Sequence, residues 1–251
     1  MKKAFWIVIL LILWEAGVRL TQVSPLILPS VLDVGKTLWR DLTEGLLLSQ
    51  TLFSLALIAS ALLLSLILAI LFVFLSSLHP ALQGLIDTLT ALAHPLPGLA
   101  LMPLIILWFG TGTGAVFVII VHSALWPLVL NIGSGVRRIP QIYTEIAKTF
   151  SMSDTAIFFE IRLRYALPDL LSGTRIAWAR GWRAFISAEM VFGAVGLYGG
   201  LGSYLLNRRT FMDTAGLFAG IVLIVAIGLF VENGLFRFLE KLTIEKWGIW
   251  E

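Results

Sequence analysis

The sequence predicts an all-α integral membrane protein with about six transmembrane helices, from its composition and from the length of its apolar blocks. The 251 residues are 59% hydrophobic and 13% charged, and the mean hydropathy is +0.95. A soluble globular protein carries about 25% charged residues, so the solvated shell that such a protein needs is missing. The apolar residues come in blocks of about 18 or more, long enough for a helix to cross the hydrocarbon core.

Six apolar segments are the predicted spans, with residues 1–251 forming a single transmembrane domain. The first segment follows two lysines, as in a signal peptide, but no small-residue cleavage site closes it. We therefore interpret it as an uncleaved first span. The segments lie at residues 4–20, 47–75, 83–109, 114–135, 176–195 and 214–236.

Residues 30–44 predict an amphipathic helix lying in the membrane interface, because apolar and charged side chains alternate at helical spacing. Further along the chain, Pro and Gly residues mark the turns between segments. These turn signals are His79-Pro80, the run from Gly110 to Gly114, and the run from Tyr198 to Gly202.

Basic residues predict the orientation, because Lys and Arg concentrate on the cytoplasmic side. Both termini and the long loop at residues 137–175 are therefore expected in the cytoplasm. The first loop opposes the rule with Arg19, Lys36 and Arg40. The residues that favour this orientation are Lys2, Lys3, Arg137, Arg138, Lys148, Arg162, Arg164, Arg175, Arg237, Lys241 and Lys246.

The loop at residues 137–175 predicts two short helices. Pro140 suits the start of the first, and Ile142, Ile146 and Phe150 then form a narrow apolar stripe. Ser151 and Asp154 stand at capping-box spacing, so Ser151 is expected to cap the second helix. Such helices either pack on the protein's own membrane surface or enter a groove on a partner, and the pattern alone leaves both open.

Several stretches carry a family resemblance. The run EIAKTFS…IRLRYALP resembles the signature loop of permease subunits of binding-protein-dependent ABC importers. The stretches 94–114, 135–154 and 188–205 resemble other segments of that family, the last one those of its nitrate, sulfonate, taurine and bicarbonate branch. The chain departs from the signature at Ile146, at Ser151, where glycine belongs, and at Arg164, where proline belongs.

The resemblance implies a type I ABC importer permease fold with a cytoplasmic coupling helix. In that family the loop docks into a cleft of a separate ATPase subunit, and nucleotide-driven closure opens the membrane pathway. The positions that match the coupling loop are Glu145, Ala147, Ser151, Met152, Ser153, Asp154, Ala156, Ile157, Phe158, Ile161, Leu163 and Pro168.

The resemblance also implies the partners and the location. They are a cytoplasmic ABC ATPase, an extracytoplasmic solute-binding protein, a second copy of this chain and membrane lipid, with no nucleic acid. The chain is expected to be a non-enzymatic, multi-pass protein of a prokaryotic inner membrane. It contains no Gly-x-x-x-x-Gly-Lys-Ser/Thr motif, so we expect ATP and Mg²⁺ to bind the partner ATPase and no cofactor to bind this chain.

Four residues are candidates for the transport pathway or for contacts between helices: His94, Arg180, Arg183 and Glu189. Charges within membrane segments are costly and usually face a bundle interior or a wet cavity, so the arginines are candidates for attracting an anion. Alternatively, both arginines lie near the cytoplasmic end of the fifth segment and snorkel to lipid phosphate. Glu189 is more typical of a contact between helices.

The predicted substrate is a small anion such as nitrate, a sulfonate, taurine or bicarbonate. A permease of the same family for an aromatic or vitamin-precursor ligand is the alternative. An intramembrane serine protease using Ser134 is a remote alternative, and a secondary transporter would require an internal repeat that the sequence lacks. The three histidines lack metal-ligand spacing.

Overall fold

The structure, a computed structural model, describes residues 2–197 and 199–243, with side chains from Phe5 onward. Tyr198 and Lys246, named in the turn and orientation predictions, lie outside the described residues. Within those residues the chain is helical apart from short connections, and no strand occurs. The predicted all-α class is confirmed.

The helices follow the apolar blocks of the sequence. They are α1 Lys2–Thr21, α2 Val31–Thr43, α3 Leu47–Leu78, α4 Pro80–Ala93, α5 Met102–Phe109, α6 Thr113–Arg137, α7 Gln141–Thr149, α8 Asp154–Ala156, α9 Leu163–Tyr165, α10 Leu167–Phe192, α11 Leu201–Thr210, α12 Thr214–Phe230 and α13 Phe236–Thr243. A 3₁₀ turn at Gly98–Leu101 precedes α5, and π-helical turns at Ile157–Arg162 and Val231–Leu235 join α8 to α9 and α12 to α13.

Among the described residues, three helices are long and apolar enough to cross a membrane: Leu47–Leu78, Thr113–Arg137 and Thr214–Thr243. A fourth candidate span is the bent pair Pro80–Ala93 and Gly98–Phe109. The remaining predicted segments, 4–20 and 176–195, fall mostly on α1 and α10, which carry several charged side chains.

The predicted segment 83–109 consists of two helices separated by a break. Its two helices meet at 92°, and the break falls at His94–Pro97. Pro95 and Pro97 lack the backbone N–H that would continue the helical hydrogen bonds, and a proline disfavours helical geometry in the residue before it. The break therefore follows from the local sequence.

The chain divides into two compact units, Met1–Leu55 with Ile186–Ile227, and Ala56–Phe185 with Gly228–Glu251. The second unit has a continuous apolar core in which Leu128 and Ile132 of α6 pack with Val73 of α3 and Phe158 of the π-helical turn. Small residues of α6 and α10, such as Ala124 and Ala177, are also fully buried there.

In the first unit, α1 and α2 are joined by side chains of α1. The indole Nε1 of Trp14 donates to the carbonyl of Pro29 at 3.1 Å, and the backbone N–H of Val31 donates to Oε2 of Glu15 at 2.9 Å. Ser30 caps α2 by accepting from the N–H of Asp33. The bonds from Val31 and Asp33 satisfy N–H groups that a helix start leaves without intrahelical partners.

The helix α2 agrees with the predicted residues 30–44 and has an unusual distribution of side chains. Its Asp41 is buried, whereas Leu32 and Trp39 are exposed. Exposed apolar side chains on an amphipathic helix are typical of contact with lipid. The interfacial position of α2 remains a prediction.

Candidate functional site

The signature loop lies between α6 and α10, and it is shorter than predicted. The helix α6 ends at Arg137 and α10 already begins at Leu167, so the loop covers residues 138–166 rather than 137–175. Residues 167–175 remain helical because Pro168 falls in the first turn of α10, where its missing N–H costs no intrahelical bond.

The turn after α7 is a Schellman motif. The N–H of Met152 donates to the carbonyl of Ala147 at 3.2 Å, and the N–H of Ser151 donates to the carbonyl of Lys148 at 3.0 Å. Ser151 has φ = 56°, the left-handed conformation that this motif requires and that glycine adopts most easily. The serine therefore keeps the turn at a cost in backbone strain.

The predicted capping role of Ser151 is wrong. The N-cap of α8 is Ser153, whose side-chain oxygen accepts from the N–H of Ala156 at 3.3 Å. Ser151 is occupied in closing α7, because its left-handed backbone belongs to the preceding turn. Ser151 and Ser153 both precede α8, and the capping-box spacing to Asp154 indicated Ser151 instead of Ser153.

The predicted apolar stripe of α7 is exposed. Ile142, Ile146 and Phe150 are 54%, 48% and 77% exposed. Glu145 is exposed as well, whereas Ala147 and Thr144 are buried on the opposite face. A short helix with an uncovered apolar stripe has the form that enters a groove.

The second half of the loop faces inward instead. Ile157 and Phe158 are 2% and 1% exposed, and Phe158 packs edge-on against Phe74 at a ring-centroid distance of 5.0 Å. Ile157 and Phe158 therefore pack on the protein itself, the alternative to docking in a partner's groove. Of the other matched positions, Ser151, Ser153 and Asp154 are exposed, and Met152, Ala156, Ile161, Leu163 and Pro168 are half-buried.

The structure brings two of the candidate pathway residues together. The guanidinium Nη2 of Arg180 lies 3.5 Å from Nε2 of His94, at the break between α4 and the 3₁₀ turn. Nδ1 of His94 is buried and has no hydrogen-bond partner among the described residues. His94 thus lies beside a cation at this break.

Arg180 is also farther along its helix than the sequence predicted. The fifth segment was expected to begin at residue 176, one turn before Arg180, but α10 begins at Leu167. At about 1.5 Å per residue, Arg180 stands about 20 Å from that start. Arg183, by contrast, is exposed and donates to the carbonyl of Ala179 in its own helix at 3.0 Å.

One face of α10 is apolar and buried. Trp178 and Trp182 stack with their ring centroids 5.4 Å apart, and Phe185 is fully buried. These positions recur at the helical spacing that placed them on one face. Glu189, on the same face, is 0% exposed.

Glu189 binds the N-terminus of α11. Its carboxylate accepts from the N–H groups of Gly200 at 2.7 Å, Gly202 at 2.9 Å and Ser203 at 3.4 Å. Ser54 accepts from the N–H of Leu201 at 3.0 Å. A carboxylate is favourable at a helix N-terminus, so the structure places Glu189 in a contact between helices.

A second polar cluster in the same unit was missed by sequence reasoning. Asp41 of α2 accepts from the phenol of Tyr204 at 2.7 Å and from the guanidinium of Arg208. Arg208 also donates to Asp213 at 2.6 Å, and Asp213 accepts from the N–H of Gly216. Burial, and then the hydrogen bond to Asp41, raise the pKa of the Tyr204 phenol well above its usual range, so it remains a donor.

The position of Ser134 does not support the remote hydrolase alternative. Ser134 is exposed on α6, and no hydrogen bond joins it to a histidine within the described residues. A serine nucleophile requires a base within hydrogen-bond reach.

Comparison with known proteins gives a family match. The family described as binding-protein-dependent transport system inner membrane component matches residues 61–244. The taurine transport system permease protein TauC of Escherichia coli is 29% identical over 94% of this chain and 86% of its own length. The putative aliphatic sulfonates transport permease protein SsuC of Escherichia coli is 30% identical over 64% of this chain and 60% of its own.

A third relative carries another substrate name. The bicarbonate transport system permease protein CmpB of Synechococcus elongatus is 29% identical over 73% of this chain and 65% of its own length. These matches confirm the predicted family and branch, and the role of a transport component rather than an enzyme. A system of this type is located in the inner membrane and implies a solute-binding protein and an ATPase as partners. The chain belongs to the family of inner membrane components of binding-protein-dependent transport systems.

Proposed function

We propose that two copies of this chain form the pathway of an importer for a small anion, and that residues 138–166 dock on a separate ATPase that binds ATP and Mg²⁺. The observation that carries this proposal is the geometry of α7. A Schellman turn at Ser151 holds the short helix in place, and its apolar stripe has no cover within the described residues. The exposed stripe supports the interpretation in which the helix enters a partner's groove.

The exposed stripe of α7 and the buried aromatic side chain that follows it would let the loop transmit movement from a partner to the core of the second unit. Phe150 is available to a partner, whereas Phe158 is anchored in the core of its own unit. A force applied to α7 by the ATPase would pass through the turn and the π-helical segment into that core. π-helical turns occur frequently at functional sites.

Two observations support an anion as the substrate: the substrates that name the relatives, and the position of Arg180. Taurine, sulfonates and bicarbonate, which name those relatives, all carry an anionic group at neutral pH. Arg180, beside His94 at the broken helix, offers positive potential well inside α10. Broken membrane helices commonly line transport sites, which supports Arg180 over Arg183 as the pathway residue.

Docking on the ATPase can be tested by co-purification and by ATP hydrolysis. The partner ATPase should co-purify with this chain, and binding protein loaded with taurine, a sulfonate or bicarbonate should stimulate hydrolysis. Phe150→Ala should lower that stimulation about tenfold or more, since deleting a buried aromatic at an interface centre costs about 2 kcal/mol. Tyr165→Ala, in the same loop and off the stripe, is the matched control and should retain stimulation. Transport without any ATPase would contradict the proposal.

The pathway assignment has its own pair of variants. Arg180→Gln should lower uptake of the anion about tenfold, because one charge-assisted contact is lost. Arg183→Gln, three residues away and exposed, should change uptake less than about twofold, in line with the small effect of surface substitutions. Equal effects of the two substitutions would remove Arg180 from the pathway.

Orientation and pairing are open to direct labelling. The chain has no cysteine, so single-cysteine variants report one site each. With both termini in the cytoplasm, Tyr165→Cys, which lies off the stripe, should react with a membrane-impermeant maleimide only after the cells are opened, and Leu197→Cys should react in intact spheroplasts. Two differently tagged copies should co-purify if the assembly contains a homodimer.

A further inference from the structure

A polar cavity lies beside the signature loop, within the second unit. Its volume is about 460 Å³, it is open on one side, and it is bordered by the end of α3, the start of α4, the end of α6, α7 and the π-helical turn after α8. The lining side chains that bear on binding are Ser76, His79, Arg137, Gln141, Lys148 and Arg162. The lining includes neither the candidate pathway residues His94 and Arg180 nor the apolar stripe of α7.

The charge of the lining is one-sided. Arg137, Lys148 and Arg162 contribute cations, and no Asp or Glu belongs to the lining among the described residues. Arg137 has a carboxylate partner outside the cavity, Asp87, at 3.4 Å, with both side chains about half-exposed. Lys148 and Arg162 have no ion pair within residues 2–197 and 199–243.

The side chain of Arg162 has a hydrogen-bond donor that is unsatisfied within the described residues. Its Nε is buried and has no hydrogen-bond partner in the part of the chain that the structure describes. An unsatisfied buried donor on a charged group is costly. A water molecule would satisfy the N–H but would leave the positive charge uncompensated, whereas an anion would do both.

We propose that this cavity is a binding site for a small oxyanion, of the phosphate, sulfate or sulfonate class, held between Arg162 and Lys148. A guanidinium presents its donors in a planar fork that matches two oxygens of such a group. Lys148 supplies a second positive charge, and Gln141 supplies an amide. A free anion and the phosphate of a lipid headgroup share this chemistry.

An anion bound in this cavity would contact both halves of the loop at residues 138–166. Lys148 lies in the last turn of α7, before the turn at Ser151, and Arg162 ends the π-helical turn after it. An anion bridging the two would therefore hold the angle between α7 and the following segment. This consequence rests on the proposed function, because it matters for transport only if the loop couples to an ATPase; the binding itself does not.

The test is binding to the purified full chain without any ATPase. Radiolabelled inorganic phosphate and sulfate would be measured on the protein in detergent and in nanodiscs with and without phosphatidylglycerol. Arg162→Gln and Lys148→Gln should each weaken binding about tenfold, the loss expected for one charge-assisted contact. Arg164→Gln is the matched control, since Arg164 is exposed two residues away and lies outside the cavity.

The two sources give different outcomes. A free anion binds in detergent and in both kinds of nanodisc, whereas a lipid headgroup excludes phosphate only where phosphatidylglycerol is present. Lys148 is exposed, so its variant should fold even if Arg162→Gln does not. Binding that is unchanged in Lys148→Gln, or absent from the wild-type chain in every arm, would overturn the site. Neither result bears on whether the chain assembles with an ATPase.

Discussion

Replacing Ser151 by glycine should stabilise the turn that closes α7. Ser151 holds φ = 56° at the position of a Schellman motif where glycine is most common. An L-residue in the left-handed region is strained by about 1–2 kcal/mol, because Cβ crowds the following carbonyl. Glycine removes that strain, but its flexibility in the unfolded chain costs about 0.5–1 kcal/mol. The net gain is therefore centred on about 0.75 kcal/mol, within about 0–1.5 kcal/mol, and the opposite change, Ser151→Val, should lose at least about 1 kcal/mol, since β-branched residues rarely adopt φ > 0.

Thermal unfolding of the purified chain measures this effect. For a chain of this size, about 1 kcal/mol corresponds to a shift of about 2–4 °C, so Ser151→Gly should raise the midpoint by about 1–4 °C. Met212→Gly is a matched control, because Met212 is also left-handed, at φ = 55°, and lies outside the loop. It should raise the midpoint similarly.

Ser151→Gly and Met212→Gly should differ in their effect on ATP hydrolysis. Binding-protein-stimulated ATP hydrolysis should change in Ser151→Gly, where the turn connects α7 to the segment anchored by Phe158, and should stay constant in Met212→Gly. A lower midpoint in Ser151→Gly together with an unaffected Ser151→Val would refute the strain argument. Identical hydrolysis in all three variants would refute the role of the turn in coupling.

Other substitutions test the first unit. Glu189→Gln should lower the free energy of unfolding by about 2–4 kcal/mol, because one of its acceptor oxygens becomes a donor that opposes backbone N–H groups; chemical unfolding measures it. Gly202→Ala should cost about 1–3 kcal/mol by the same assay, since the added Cβ would stand 2.6 Å from Cβ of Glu189. Asp41→Asn should cost about 2 kcal/mol, because it leaves the half-buried Arg208 with one carboxylate instead of two, and a double-mutant cycle with Arg208→Gln should show coupling between them.

Helix positions could be predicted where the signal is local. The helix α2 begins within one residue of the predicted boundary, because Ser30 is a capping residue directly before it. The break at residues 94–97 follows likewise from its two prolines. The start of α10 was placed too late because hydropathy falls at residues 167–175, and polarity alone does not end a helix.

Partners distant in sequence could not be predicted from it. Glu189 lies on the buried face of α10, yet nothing local indicates that its carboxylate meets Gly200 and Gly202. Ser54 lies 147 residues from the N–H that it accepts, and it resembles any other serine in an apolar helix. Such contacts depend on how helices pack, which one sequence without its relatives does not encode in a readable pattern.

Charged side chains in this chain differ in whether the described residues supply a partner for them. Glu15 and Glu189 both accept from N–H groups at helix starts, so their charge is balanced by the fold itself. Arg180 and Arg162 are half-buried cations for which residues 2–197 and 199–243 provide no carboxylate within ion-pair distance. Both cations lie in the second unit. Under the two proposals above, an anion supplies the missing charge, as a transported solute at Arg180 and as an oxyanion, free or in a lipid headgroup, at Arg162.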